Sequence, residues 1–115
     1  MIVKDITYYK IYLTEKSADI TRLPVDGVTD VILEIGNDLI ERMDECFLDN
    51  GIYDAIDALF GPGDSDYVSY DKCIILVDRL KKLDESDKEL KEWLDKLIEI
   101  ANVAIENESG LFFDL

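Results

Sequence analysis

The stretch TDVILEIGNDLIERMDECFLD, residues 29–49, carries the reading on which the fold turns. Ile32, Ile35, Leu39, Met43 and Cys46 recur at spacings of three and four, which is one stripe of a 3.6-residue helix. The spacing predicts a long helix from Thr29 to Asp49, capped by Asp26 or Thr29. Asn50-Gly51 ends it, with Gly51 suited to the left-handed residue that follows a helix. Gly36 interrupts the helix at a cost of about 1 kcal/mol relative to alanine, and close packing is its expected purpose. Glu34, Asp38, Glu41 and Glu45 follow the same spacings on another face. Like charges three or four apart cost roughly 0.2–0.5 kcal/mol per pair, and Arg42 relieves only part of that repulsion. Such a face either presents negative charge to a partner or serves solubility.

The charge extends beyond this helix. Between Asp26 and Asp71 there are 13 acids and one base, Arg42, a net of −12 out of −15 for the 115 residues. The acidity therefore belongs to one segment. Apolar residues interleave with it, as they do not in a disordered acidic tail, so the expectation is an acidic face on folded helices. A short helix, Tyr53 to Phe60, turns Ile52, Ile56, Leu59 and Phe60 inward and Asp54 and Asp57 outward. Gly61-Pro62-Gly63 breaks the chain, and residues 64–69 read as a loop or helix lead-in.

Outward from the segment, the expected elements are simpler. Residues 2–13, IVKDITYYKIYL, read as a strand with a partly solvated side, suited to an edge. Residues 14–27 lack a period, contain Pro24 and Gly27, and read as a loop. Ser69 is placed to cap a helix from Tyr70 to Leu83. Its middle, CIILV (73–77), also fits a strand, but the flanking pattern and the length favour a buried helix. Ser86 and Glu89 form a capping-box pattern opening a helix over 87–107. Its apolar stripe is Leu90, Trp93, Leu94, Leu97, Ile98, Ala101, Ala104 and Ile105. LFFDL (111–115) reads as a terminal strand, which can pair with the first because neither suffices alone. The fold class expected is α+β and mainly helical, with three to four helices and short N- and C-terminal strands, in a single domain over residues 1–115.

Several chemistries lack their residues. There is no histidine, which removes Ser–His and Cys–His catalysis and the commonest metal ligand. The two cysteines, Cys46 and Cys73, have no zinc spacing and look inward, as buried free thiols of a reducing compartment, though a disulfide between them stays open. No glycine-rich phosphate loop is present. Asp64 and Asp66 match the first two ligand positions of a calcium loop. Val68 and Ser69 then stand where an oxygen ligand and a glycine are needed. No apolar run is long enough to span a membrane, and the opening MIVKDITYYKIYL has charges inside its apolar run and no cleavage site of a signal peptide. No enzyme activity, cofactor or metal is expected.

An acidic surface disfavours nucleic acid and anionic membranes, and favours a basic protein. The candidate contact residues are Glu34, Asp38, Glu41, Glu45, Asp54, Asp57, Asp64, Asp66, Tyr67 and Asp71. Of the six tyrosines, Tyr67 or Tyr53 can supply an apolar anchor, because tyrosine buries a ring and keeps a polar handle. Tyr8, Tyr9 and Tyr12 read as half-buried core.

The C-terminal half, from YVSYDKCIILVDRL (67–80) through LKEWLDKLIEIANVAIENESGLFFDL (90–115), resembles the closing part of small bacterial immunity proteins. These pair with toxins of polymorphic-toxin and contact-dependent inhibition systems. The shared pattern is a V-S helix start, a long helix and a closing apolar segment, and it carries over no functional residue. The resemblance implies a cytoplasmic antitoxin that binds a cognate toxin. Joined to the acidic segment, it leads to an inhibitor of a basic toxin, a nuclease above all. Alternatives are a nucleic-acid mimic that inhibits other DNA- or RNA-binding proteins, and a carboxylate-based metal-binding protein.

Overall fold

The computed structural model describes residues 8–13, 28–61, 63, 65–106, 108 and 110–115. The chain runs β1 (Tyr8–Leu13), β2 (Val28–Ile35), α1 (Asn37–Asp49), α2 (Ile52–Ile56), β3 (Ser65–Val68), α3 (Tyr70–Lys81), α4 (Lys88–Glu106) and β4 (Gly110–Asp114). The four helices hold roughly twice as many residues as the strands, so the fold is α+β and mainly helical.

The strands form one mixed sheet of order β2-β1-β4-β3. The terminal strands do pair: β1 and β4 run parallel, with Tyr8 opposite Gly110 and Tyr12 opposite Asp114. β1 also runs parallel to β2, so it lies inside the sheet and not at an edge. β3 closes the other side antiparallel to β4, with Val68 opposite Leu111. The expected loop over 14–27, the strand residues 2–7 and the Asp26 cap lie outside the described residues, as do the side chains of Tyr8, Tyr9 and Tyr12 and of Ile32 in the helical stripe.

The expected helix over 29–49 is corrected at its start. Val28–Ile35 is a strand, and the helix begins at Asn37. Val28, Thr29, Val31, Ile32 and Ile35 are β-branched and fit a pleated strand better than a helix. Leu33 and Ile35, two apart, are buried together as a strand's period requires. Gly36, extended at φ −83°, is the residue before the helix rather than an interruption of it. At the other end Gly51 is left-handed at φ 65°, as expected, and the Asn50 side chain donates to the Cys46 carbonyl at 2.8 Å.

Ser65–Val68 is likewise a strand and not a helix lead-in, paired with β4. Ser69 precedes α3 without a side-chain cap bond. At α4 the capping residue is Asp87, one later than the sequence pattern suggests. Its Oδ1 accepts from the Leu90 N–H at 3.3 Å, and its carbonyl accepts from the Lys91 N–H at 2.8 Å.

α4 lies across β2, β1 and β4, with α3 beside it on β4. Leu90, Trp93, Leu94, Leu97, Ala101 and Ala104 are buried along the expected stripe, with Ile98 and Ile105 half-buried against the core. On α3 one side alone is buried, through Cys73, Leu76, Val77 and Leu80, while Ile74 is exposed. Leu111 and Phe113 on β4 enter the same core. Phe60 stacks on Phe113 with centroids 3.7 Å apart, and Phe47 and Tyr53 meet Phe60 edge-on at 5.7 and 5.2 Å. These four rings bind α1, α2 and the chain after α2 to the sheet. Tyr53 is therefore core, which leaves Tyr67 as the more accessible of the two candidate anchors.

Candidate functional site

α1 buries Ile40, Met43, Cys46 and Phe47. That orientation leaves Asp38, Glu41, Glu45 and Leu48 exposed, at spacings of three, four and three, so they form one stripe along the helix. Asp38, in the first turn, also sits favourably at the positive end of the helix dipole. Among the described residues none of the three acids is ion-paired. Arg42 pairs with none of their carboxylates, although its Nε donates to the Asp38 carbonyl at 3.5 Å. Its Nη1 meets Asp87 Oδ2 at 2.6 Å and its Nη2 meets Glu89, so it joins α1 to the start of α4. These bonds, first that to Glu89 and then that to Asp87, hold the guanidinium more firmly protonated than usual. In return the Arg42 bond, helped by the Leu90 N–H, holds the Asp87 carboxyl below the usual carboxylate range.

The stripe ends at Leu48, which lines an open groove of about 420 Å³ with Tyr53, Asp54, Asp57, Leu59 and Asp66. Leu48 is 59% exposed and Leu59 51%, the two largest exposures among the big apolar side chains of the described residues. Asp54 and Asp57 face outward, as the Ile52/Ile56 stripe requires. Leu59 does not face inward. Asp57 takes a left-handed conformation at φ 51° and ends α2 at Ile56. Beyond it the chain alternates: Ala58 and Phe60 are buried and Leu59 points out. Sequence reasoning missed both leucines, and the signal for Leu48 was its i+3 and i+7 relation to Glu45 and Glu41.

Two carboxylates hold the groove together. Asp66 Oδ2 accepts from the Leu59 N–H at 2.9 Å, which ties β3 to the chain after α2. Below, the Tyr53 hydroxyl donates to Asp44 Oδ1 at 2.5 Å. The Asp44 carboxylate also lies directly over Gly61, where a Cβ would collide with it. The glycine is needed for that approach.

The remaining candidates scatter. Glu34 is on β2, paired in register with Tyr12, and so not on the face of α1; its side chain lies outside the described residues. Asp64 lies outside them altogether. Tyr67, 41% exposed, neighbours Asp66 on a strand and so points to the opposite side of the sheet, where its ring lies against Gly110. Asp71 is exposed in the first turn of α3, where its charge complements the helix dipole.

Both cysteines are free and buried. Burial pushes the Cys46 thiol up to about 11, with the Glu85 carboxylate adding to it, and the Cys73 thiol up to about 12. Cys73 Sγ donates to the Val68 carbonyl at 3.5 Å. Neither is poised as a nucleophile at neutral pH. Among the described residues no three carboxylates and thiols converge as a metal site, and no helix is long and apolar enough to cross a membrane.

No protein-family model, no curated protein and no solved structure gives a significant match to the chain.

Proposed function

We propose that this chain is an immunity-type inhibitor that binds a basic toxin, a nuclease above all, and covers its substrate-binding site with an acidic face. The observation that carries the reading is the stripe Asp38, Glu41 and Glu45. It is exposed and without an ion pair among the described residues, while the base within its helix is drawn to Asp87 and Glu89. A stripe kept for solubility alone would gain from interspersed lysines, as α4 has at Lys91 and Lys96. The mechanism is stoichiometric occlusion without catalysis, in the cytoplasm. The carboxylates pair with the lysines and arginines that otherwise hold phosphates, and no nucleic acid or membrane is bound. Opposite charge raises association from roughly 10⁵–10⁶ to roughly 10⁸–10⁹ M⁻¹s⁻¹ at low salt, which suits an inhibitor that must act before damage occurs. The resemblance of the C-terminal half to immunity proteins supports the same class.

The proposal expects the polypeptide encoded directly upstream to carry a toxin domain, and that polypeptide is the test. Co-expression should protect cells from that domain, and the purified pair should form a one-to-one complex weakened by salt. Unprotected cells, or no complex at low salt, contradict the proposal.

A further inference from the structure

We infer that the groove at the end of the acidic stripe seats an apolar side chain of the partner, carried on a segment with flanking lysines or arginines. This rests on the reading of the stripe as the face for a basic partner. The groove is more than a continuation of the charge. Leu48, on α1, and Leu59, on the chain after α2, both line it and are more than half exposed. Two half-exposed leucines around one concavity, rimmed by carboxylates, offer apolar surface that a partner can cover. Among the described residues no lysine or arginine lines the groove, and Asp54 and Asp57 flank the leucines. The complementary ligand is therefore apolar at its centre and cationic at its edges.

The groove is also built to keep its form. Asp66 pins the Leu59 amide, and the Tyr53 ring beneath is held by Asp44 and by its contacts with Phe47 and Phe60. A preformed seat loses little freedom on binding. The stripe and the groove then divide the work. Asp38, Glu41 and Glu45, at the rim, set the association rate, and the groove, from which a seated side chain displaces water, sets dissociation.

The experiment uses the full chain labelled with nitrogen-15 and two short peptides of lysine and arginine. One carries a pair of central leucines and the other has serines in their place. The leucine peptide should bind about tenfold more tightly. It should shift the amides of Leu48, Asp54, Asp57 and Leu59, and that advantage should persist at high salt. Leu48→Ser with Leu59→Ser should remove the advantage while the melting temperature holds, both side chains being exposed. Equal binding of the two peptides, or binding of the leucine peptide away from the groove, overturns the inference and leaves the acidic stripe standing. Failure of both peptides to bind at low salt overturns the inference and the reading of the stripe together.

Discussion

Arg42 Nη1 lies 2.6 Å from Asp87 Oδ2, across 45 residues of sequence, and the same guanidinium holds Glu89. The base in the middle of the acidic helix is thus a clamp on the start of α4. It leaves its neighbours Asp38, Glu41 and Glu45 exposed and, among the described residues, without an ion pair.

Removing the clamp should make stability less dependent on acid. The Asp87 carboxyl is held below its ordinary value of 3.8 by Arg42. A carboxylate with a depressed pKa adds stability that is complete above its unfolded value and is lost as pH falls through its folded value. The stability gap between wild type and Arg42→Met should therefore be constant near neutrality and close below about pH 4. Urea melts across that range measure it. A gap that widens in acid contradicts the clamp.

The thiols give the opposite dependence. Cys46 and Cys73 are raised to about 11 and about 12 from an ordinary 9.0, so their neutral forms favour folding. That contribution is full below pH 9 and is lost as pH rises through the folded values. Alkylation at pH 8 should be slow in the native protein and fast in urea. Above pH 9 stability should fall, and Cys73→Ala should flatten that fall. Rapid native labelling at pH 8 would place a thiol at the surface.

Trp93, 5% exposed on the buried stripe of α4, should cost about 3–5 kcal/mol when replaced by alanine. Chemical denaturation measures this directly. A variant that melts within a few degrees of wild type would mean the ring is not core.

Gly61→Ala should cost about 1–3 kcal/mol, because the new Cβ must push aside the Asp44 carboxylate that Tyr53 holds. Tyr53→Phe removes the same bond from the other side. The double variant should cost less than the two single ones added, since both break one contact. Full additivity would separate the glycine from the Tyr53–Asp44 pair.

What the residues disclosed, and what they hid, follows the range of the interactions. α3 and α4 were legible because their stripes and boundaries are local. The strand over Val28–Ile35 was not. Ile35 and Leu39 are four apart, on either side of Gly36, and so continue a helical stripe by coincidence. The partner that decides for strand is β1, across residues 14–27. Ser65–Val68 is too short to carry a period, and its strand exists through β4, more than 40 residues on. At the site, Asp54 and Asp57 could be placed outward from Ile52 and Ile56. Leu59 could not, because one left-handed residue, Asp57, changes the period from helical to alternating.

Charge reversal tests whether the acidic stripe is the contact face. Asp38, Glu41 and Glu45 are changed to lysine singly and together, and binding to the basic partner that the proposal expects is followed at low and high salt, with melting checked in parallel. The side chains lie off the buried stripe of α1, so the fold should survive. Each reversal removes an attraction and adds a repulsion. The triple variant should associate at least about tenfold more slowly at low salt, and should lose most of the salt dependence of the wild type. Unchanged association in a triple variant that melts like the wild type would contradict the account.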